Sequence, residues 1–310
     1  TTPRTGLEAL KTLGHMNRPL SIRDLVFGLG PRINAAGRID HARGAVALLL
    51  ATDREAAEAL AQAIDSKNST RRELDSTITE EALKMIADYP QHTRAKTTVL
   101  FKEDWHKGVI GIVASRCIER HYRPTIILTK AADGKATGSA RSVAGYNVYQ
   151  AIEACADLLE QYGGHAHAAG LTLSVDNVPA FKQRFEEVVA QSIAAEALTP
   201  PQPVDLPLQL RDINDKFYNV LRQMAPFGTG NMHAVFVTEQ VIAKRYRIIK
   251  DRHLKLYVSQ PGFVGTLEAI GFDLAHYEPL VQGQKKFKMA YTIEESHYLG
   301  ERCLQLNIKD

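Results

Sequence analysis

Apolar residues recur at helical spacing in the first ninety residues. Residues 53 to 88 contain no proline or glycine. The positions that repeat are Leu60, Ile64, Leu74, Ile78, Ala82 and Met85, and this spacing predicts one long helix. The polar run DSKNSTRRE interrupts the apolar positions, so we expect the middle of the helix to be exposed. A short apolar helix is predicted at residues 42 to 51, and Ser21 with Asp24 resembles a capping box.

The pattern then changes to short apolar strands that alternate with helices. The predicted strands are TTVLFK, PTIILTK, KATGSARSV and LTLSV. The predicted helices are KGVIGIVASRCIERHY, NVYQAIEACADLLEQY and VPAFKQRFEEVVAQSIAAEA. Because strand, helix and strand follow one another, residues 97 to 197 are expected to form a compact α/β domain.

Four prolines in LTPPQPVDLP predict a linker after this domain. A helix at residues 214 to 224 follows, and then five short strands with glycine turns, which predict a small barrel. The predicted fold class is therefore α/β plus all-β. It comprises an α/β domain preceded by a long connecting helix and followed by a five-stranded barrel.

Composition excludes several function classes. The chain has 310 residues, 45% of them hydrophobic, and a net charge of +3. The apolar run AVALLLA is too short to span a bilayer and the N-terminal residues do not resemble a signal peptide, so no membrane role is expected. The three cysteines are far apart in the sequence, which indicates reduced thiols, a cytoplasmic protein and no structural zinc.

The basic residues are unevenly distributed. Residues 1 to 150 hold 22 Lys and Arg against 16 Asp and Glu. The segment KRYRIIKDRHLK carries six cations and one anion, with Lys244, Arg245, Tyr246 and Arg247 at its start. This mixture suits a polyanion binder. A solvated edge strand would have the same composition, so both interpretations stay open.

Several glycine-containing turns or strands also carry cations. In GSARS, Ser139 and Arg141 alternate on one face of a predicted strand, where an arginine fork and a hydroxyl can bind a phosphate. In YGGHAHAAG, Gly163 and Gly164 would allow a backbone amide and the His165 ring to reach one phosphate. The alternatives are a surface arginine and a turn whose glycines end the preceding helix.

Two further segments also combine glycines with positively charged residues. GPRINAAGR has Arg32 and Arg38 around small residues in a predicted turn. DWHKGVIGIVASR has Trp105 just before a helix whose N-terminus would attract anions. Here the structural alternative is stronger, because tryptophan is usually a core residue and the glycines can serve close helix packing. Together the four motifs indicate a phosphate-binding track.

The ordered motifs GPRINAAGR, WHKGVIGIVASR, GSARS, GGHAHAAG and PFGTGN, followed by a barrel ending in LQLNIKD, resemble the RecJ family. These are single-strand-specific 5′ to 3′ DNA exonucleases of the DHH phosphoesterase superfamily. The resemblance covers nearly the whole chain. It implies a helical linker at residues 1–95, a DHH-associated domain at 96–197 and an OB-fold domain at 205–310.

The resemblance also implies binding roles. Ser139 and Arg141 match the residues that recognise a 5′ phosphate, and Gly164 and His165 match a second phosphate contact. Arg38, Arg32 and Arg116 match arginines near the DNA path, with the choice between the first two left open. Asn68 and Arg71 match an Asn-x-x-Arg pattern on the connecting helix. Met232 departs from the proline that is common in the family, which puts only the entry turn of the OB domain in doubt.

The family's catalytic domain binds manganese or magnesium through aspartates and an Asp-His-His triplet, and this sequence contains no such triplet. We therefore expect the C-terminal portion of a RecJ-like enzyme in DNA repair and recombination, with no catalytic or metal-binding residues here. The metals would be bound by an N-terminal domain. The implied partners are single-stranded DNA with a 5′ phosphate, a single-strand-binding protein and a helicase.

Two other functions stay open at this point. A small-substrate phosphodiesterase of the superfamily, acting on nano-oligonucleotides or cyclic dinucleotides, would share the GGH motif but would normally lack the barrel. A non-catalytic nucleic-acid-binding module would not need GSARS together with NAAGR.

Overall fold

The computed structural model describes residues 4–16, 20–88, 95–228, 230–298 and 301–310. The chain divides into two compact units, Thr1–Pro201 and Gln202–Asp310. Each unit has hydrophobic cores of its own. Thr229 in PFGTGN lies outside the described residues.

The first unit begins with a helical subdomain. Its helices are α1 (Thr5–Leu13), α2 (Gly30–Ile39), α3 (Arg43–Leu50) and the long α4 (Arg54–Asp88). A π-helical turn, Asp24–Leu29, leads directly into α2. The predicted capping box precedes it: the backbone N–H of Ser21 donates to Asp24 Oδ2 at 2.8 Å, and the N–H of Asp24 donates to Ser21 Oγ at 3.3 Å. The predicted helices at 42–51 and 53–88 are confirmed within two residues.

A five-stranded sheet forms the centre of the α/β part. Its strands are β1 (Thr98–Phe101), β2 (Thr125–Lys130), β3 (Lys135–Arg141), β4 (Gln161–His165) and β5 (Ala168–Ser174). They are ordered β1-β2-β3-β5-β4. The β1 and β2 strands are parallel and joined by α5 (Ile110–Arg120), as the β-α-β pattern predicts, and the other neighbours are antiparallel.

The two faces of this sheet bury different cores. On one face, α5 and the second half of α4 pack around Leu100, Ile127 and Trp105. Trp105 is only 4% exposed. The core interpretation of this tryptophan is confirmed, and its indole N–H also donates to Glu81 Oε2 at 2.8 Å. The opposite face packs against α6 (Val148–Glu153) and α7 (Val178–Ser192). Phe181 on α7 is completely buried there.

The helix predicted for NVYQAIEACADLLEQY is shorter than expected. Asn147 caps α6, and its side chain accepts from the backbone N–H groups of Tyr149 and Gln150. The helix ends at Glu153, a short 3-10 turn follows at Ala156–Leu158, and β4 already begins at Gln161. The two glycines after Tyr162 therefore lie in an edge strand and do not end a helix. The helix-stop interpretation of this segment was wrong.

The second unit is a closed β barrel. It contains α8 (Asp215–Gln223), α9 (Glu278–Val281), β6 (Leu206–Pro207), β7 (Phe236–Ile249), β8 (His253–Ser259), β9 (Leu267–Gly271), β10 (Lys286–Tyr298) and β11 (Glu301–Ile308). The sheet order is β10-β11-β9-β8-β7-β6, and pairing of β10 with β7 closes the barrel. The five predicted strands and the fold class, α/β plus all-β, are confirmed.

In the helical subdomain, one local prediction was wrong and another holds only in part. The GPRINAAGR segment is α2, with Pro31 in its first turn, and not a turn. Proline is favourable there because the first amides of a helix lack intrahelical partners. The expected exposure of the middle of α4 holds only in part. Within the polar run, Ser66, Ser69, Thr70, Arg72 and Glu73 are exposed. Asn68 in the run and Asp75 just beyond it are 1% and 2% exposed. The buried stripe of α4 thus includes one polar residue in the polar run, Asn68, and one just after it, Asp75.

Candidate nucleic-acid interface

Ser139 and Arg141 lie on the same face of β3, because burial alternates along this strand. The Nη1 group of Arg141 donates to Ser139 Oγ at 3.0 Å and to the backbone oxygen of Ala140 at 2.8 Å. These two bonds hold the guanidinium beside the hydroxyl. The GSARS motif therefore presents a planar donor fork and a hydroxyl side by side, as the sequence predicted.

The charge of Arg141 is poorly compensated. Burial lowers the pKa of this guanidinium, and the nearby charge of Arg38 lowers the pKa further. In the described part of the chain, no carboxylate forms an ion pair with it. An arginine keeps its charge in proteins, and a buried charge without a counterion is costly. A bound anion would therefore be strongly favoured at this position.

The N-terminal end of α5 lies against the same pair of side chains. Gly111 is the second residue of α5. A Cβ at this glycine would lie 2.8 Å from Arg141 Nη2 and 2.9 Å from Ser139 Oγ. The glycine thus permits a close approach of the helix, and the helix dipole at this end attracts negative charge.

Three more arginines, Arg38, Arg71 and Arg116, act through their charges on Arg141 or on one another. The pKa of Arg71 is lowered by burial and by the charges of Arg72, Arg38 and Arg116, against the opposing effect of Asp75. Arg38 is exposed, and its Nη1 group donates to Gly108 O at 3.3 Å. Because Arg38 also acts on Arg141, these side chains form one positively charged group. We call Arg38, Arg71, Arg116 and Arg141 the arginine cluster.

The carboxylate of Asp75 orients two members of the cluster. Arg116 donates from Nε to Asp75 Oδ1 at 2.8 Å and from Nη2 to Oδ2 at 2.9 Å. Arg71 reaches Oδ2 at 3.5 Å, and its Nη2 group donates to Asn68 Oδ1 at 2.7 Å. Asp75 was not among the site residues predicted from the sequence. Its position four residues after Arg71 on a helix was the signal that could have identified it.

Arg32 has a different environment. Its Nε group donates to Asp65 Oδ1 at 2.7 Å, and its Nη1 group donates to Gly28 O at 2.9 Å. The side chain is 13% exposed. This arginine ties the start of α2 to α4 and has an acidic partner, whereas Arg38 is exposed close to Arg141.

The His165 side of the sheet continues the face of Ser139 and Arg141. Residues directly opposite each other in neighbouring strands point to the same face. Arg141 pairs with Ala168, which pairs with His165, and Ser139 pairs with Gly170, which pairs with Gly163. His165 Nδ1 accepts the backbone N–H of His167 at 3.3 Å. Only small residues separate the arginine from the histidine on this face.

The two adjacent glycines have different environments. Gly164 has a φ of +153°, and a Cβ there would lie 2.3 Å from the backbone oxygen of Ala168. Gly163 has open space at its Cβ position. Strand alternation puts Gly163 on the face of Ser139 and Gly164 on the opposite face. Gly164 is therefore required by the close backbone approach of the β4–β5 hairpin, and Gly163 leaves the outer face bare.

The barrel unit has a basic face of its own. Register pairs Arg245 with Tyr257 and Arg247 with Lys255 across β7 and β8. The Arg245 guanidinium lies 4.4 Å from the centre of the Tyr257 ring. Lys255 Nζ lies 2.7 Å from Glu268 Oε1 on β9, so its charge is partly neutralised. Tyr257 and Lys255 were not predicted as site residues, although strand alternation after the β7–β8 turn was the available signal.

Tyr246 and Lys244 do not share this arrangement. Tyr246 pairs with Leu256, which is buried in the barrel core, so its ring points away from the face of Arg245. A register shift between Ala243 and Arg245 leaves Lys244 as the extra residue of a bulge. The four predicted barrel residues are exposed, but they are not all on one face.

Among the described residues, no group of three or more histidine, cysteine, aspartate or glutamate side chains could hold a metal ion. These residues therefore do not fit a two-metal centre, which needs clustered carboxylates. No helix within the described ranges is long and apolar enough to cross a membrane. The chemistry that the arrangement supports is anion binding.

Comparison with known protein families gives two matches. The model of the DHHA1 domain matches residues 75–191, and the model of the RecJ OB domain matches residues 204–310. The first match contains Asp75, Arg116, Ser139, Arg141 and His165, and the second contains the basic face of the barrel.

Curated relatives match the chain along its whole length. The single-stranded-DNA-specific exonuclease RecJ of Salmonella typhimurium is 33% identical over 314 residues, which cover 99% of this chain and 54% of the relative. RecJ of Bacillus subtilis is 32% identical over 313 residues, covering 100% of this chain and 39% of the relative. The chain thus spans about half, or less, of the length of these relatives.

A solved structure shows the same fold. The crystal structure of RecJ from Thermus thermophilus in complex with Mn²⁺ superposes with a TM-score of 0.82 at 26% identity. The match covers all of this chain and 44% of that one.

Substitution of Asp75 tests how the arginine cluster is held. Asp75→Asn removes the charge that compensates Arg116 and Arg71, so we expect the free energy of unfolding to fall by about 2 kcal/mol. Because the uncompensated arginines then favour an anion, added phosphate should raise the melting temperature of the variant more than that of the original protein. Thermal melting over a phosphate series at constant ionic strength measures both effects.

Asp88→Asn is the matched control on the same helix. Asp88 pairs with Lys84 at 2.6 Å, and both side chains are at least half exposed. Its loss should cost less than about 0.5 kcal/mol and leave the response to phosphate unchanged. An equal phosphate response in Asp75→Asn and the original protein would show that Asp75 does not set the charge of the cluster.

Proposed function

The chain belongs to the RecJ family, and from this membership we propose that it is the part of a 5′ to 3′ exonuclease that binds single-stranded DNA and recognises its 5′ end. The two domain models match in the order DHHA1 and then OB. The relatives it matches are named single-stranded-DNA-specific exonucleases. They are about twice as long as this chain or longer, which supports its assignment to one portion of such an enzyme.

The observation that carries the proposal is Arg141 with its surroundings. A half-buried guanidinium without an acidic partner among the described residues lies beside the Ser139 hydroxyl and the N-terminal end of α5. A terminal phosphate has two negative charges and several acceptor oxygens, and it satisfies all three donors at once. We assign the 5′ phosphate to Ser139 and Arg141.

The remaining contacts follow from charge and exposure. We propose that Arg38 contacts the DNA and that Arg32 does not, because Arg32 is already paired with Asp65. Arg71 and Arg116, oriented by Asp75 and Asn68, provide positive charge for the following phosphates. His165, on the same sheet face as Arg141, is assigned to a neighbouring phosphate. For Gly164 the proposed contribution is its backbone, which the hairpin shape requires.

The barrel supplies a second binding surface in the proposal. Arg245, Arg247 and Tyr257 combine charge with an aromatic ring on one face of β7 and β8. Proteins that bind single strands without sequence preference use this combination, because every base has a face that can stack. Lys244 and Tyr246 are assigned to its margin.

Catalysis is assigned to the portion of the relatives that the match to this chain does not cover. The T. thermophilus RecJ structures are complexes with Mn²⁺ and Mg²⁺, and we propose that the corresponding ions bind in that other portion. We also propose that the first unit divides at residue 95 into a helical linker and a DHH-associated domain. The proposed location is the cytoplasm, and the proposed protein partners are a single-strand-binding protein and a helicase.

A small-substrate phosphodiesterase is disfavoured by the barrel. An enzyme that acts on dinucleotides needs the phosphate site near Arg141. It does not need a second basic surface such as the one on the barrel. The match of residues 204–310 to the RecJ OB domain instead supports a longer single-stranded substrate.

The 5′-phosphate assignment is tested by Arg141→Ala. The original chain should bind short single strands with a 5′ phosphate more tightly than those with a 5′ hydroxyl. The variant should lose about 1.5 to 3 kcal/mol of binding free energy for the phosphorylated strand, which is the value of a hydrogen bond to a charged group. Titration of both oligonucleotides by fluorescence anisotropy gives the two dissociation constants.

Two further variants serve as controls. His165→Ala should weaken binding of both strands equally, because its phosphate is internal to each. Arg32→Ala should lower the melting temperature but preserve the ratio of the two dissociation constants. Full retention of the 5′-phosphate preference in Arg141→Ala would refute the assignment of GSARS.

The barrel surface is tested by the salt dependence of binding. Each lost phosphate contact lowers the slope of log Kobs against log salt by roughly 0.7 on single strands. Combined Arg245→Glu and Arg247→Glu should therefore flatten the slope measured with a long oligonucleotide. Lys288→Glu is the control, because Lys288 already pairs with Glu239 at 3.4 Å. If the double variant keeps the original slope, the basic face is only a solvated strand pair.

The assignment of catalysis is tested with the chain alone. We expect the purified chain to release no mononucleotides from labelled single strands with either Mn²⁺ or Mg²⁺, because the described residues offer no cluster of metal ligands. A full-length RecJ relative is the positive control. Processive release of mononucleotides by the pure chain would show that it has a catalytic centre of its own.

A further inference from the structure

A polar pocket lies on the sheet beside the proposed phosphate site. Its volume is about 340 Å³, and its lining residues come from three neighbouring strands, β3, β5 and β4. They are Thr137, Gly138, Gln161, Tyr162, Gly163, Gly170, Leu171 and Thr172. The volume is within the range of small-molecule sites, roughly 300 to 1,000 Å³. We call it the three-strand pocket.

The rim of the pocket consists of neutral groups that both donate and accept hydrogen bonds. Register aligns Gln161, Thr172 and Thr137 across the three strands, so their side chains share one face. None of the three makes a side-chain hydrogen bond to another described residue. Amide and hydroxyl groups can pair with either donors or acceptors. No charged residue lines the pocket within the described part of the chain, so it does not suit a second phosphate.

The floor of the pocket is flat backbone. A Cβ at Gly163 would meet nothing within 4 Å, and a Cβ at Gly170 would meet only Gly138 O at 3.9 Å. Because glycines face each other in the two adjacent strands at Gly163 and Gly170, peptide planes are exposed there, and a planar ring can stack on such a surface. The rim and the floor together fit a planar group that carries several hydrogen-bonding atoms.

The pocket is within reach of one nucleotide from the phosphate site. Ser139 is directly opposite Gly170, which is opposite Gly163, and neighbouring strands lie about 4.8 Å apart. The floor therefore begins one strand spacing from the Ser139 hydroxyl. Along β3, Thr137 of the pocket and Arg141 lie on opposite sides of Ser139. The charge of Arg38 acts on Arg141, so the positive charge lies on the side of Ser139 away from the pocket.

We propose that the three-strand pocket binds the nucleobase of the 5′-terminal nucleotide, whose phosphate is held by Ser139 and Arg141. This inference rests on the proposed function. A rim of groups that donate and accept alike can pair with any of the four bases, and stacking on backbone does not distinguish them. An exonuclease that removes successive nucleotides needs such a site, because every base in turn becomes the terminal one.

The test compares 5′-phosphorylated tetranucleotides that have either an intact base or an abasic sugar at the 5′ end. The original chain should bind the intact strand about tenfold more tightly, within the usual contribution of base stacking. All four terminal bases should give this difference. Fluorescence competition titrations supply the dissociation constants.

Gly163→Leu fills the pocket and should abolish the difference between intact and abasic strands. Gly163 does not have a positive φ and has open space beside it, so the substitution should leave the melting temperature unchanged. Gly163→Ala is the matched small change and should reduce the difference only partly. Neither variant should alter the preference for a 5′ phosphate over a 5′ hydroxyl.

The same titrations separate two kinds of failure. Equal binding of intact and abasic strands by the original chain, with the 5′-phosphate preference present, would overturn the pocket assignment alone. A difference that persists in Gly163→Leu would also overturn it. If the original chain shows no preference for a 5′ phosphate over a 5′ hydroxyl, the proposed function is refuted, and the pocket assignment with it.

Discussion

The interaction on which the site most depends is the pairing of the Asp75 carboxylate with two arginines. Asp75 is almost completely buried on α4, and it binds Arg116 on α5 through both oxygens. A buried carboxylate is costly unless it is paired and hydrogen-bonded. The pairing therefore fixes α4 against α5 and simultaneously orients the cations of both helices. One negative charge is too few to neutralise the arginine cluster, so the excess charge remains for an anion.

Glycines allow the backbone to bring these groups together. A Cβ at Gly108 would lie 1.9 Å from the backbone oxygen of Arg38, so α2 and the turn before α5 can approach only at a glycine. Gly111 does the same between α5 and the side chains of Ser139 and Arg141. The glycines that look like turn signals in the sequence are thus positions where two elements touch. Their effect is to concentrate arginines that lie as much as a hundred residues apart in sequence.

Much of the fold was predictable because its periodicities are simple. Alternation in KATGSARS indicated β3 and the face that carries Ser139 and Arg141, and helical spacing indicated α4 within one residue at its start. The polar stripe of Asn68 and Asp75 was not predictable from hydrophobicity, since polar residues normally indicate exposure and these two are buried only because they pair with arginines. The edge strand β4 was not predictable either, because glycines such as Gly163 have a weak propensity for strands. It forms because it pairs with β5.

The two basic surfaces differ in how they hold their charge, and this difference suits different tasks. Arg141 is half-buried and fixed by Ser139 and a backbone oxygen, so it has little conformational freedom left to lose when an anion binds. Such a site suits one anion in one fixed position. Arg245 is exposed and lies over the Tyr257 ring, where a mobile strand can exchange bases and phosphates without a fixed register. In the proposed function, the site at Arg141 would hold a DNA strand tightly at one terminus, and the surface at Arg245 would hold it loosely along its length.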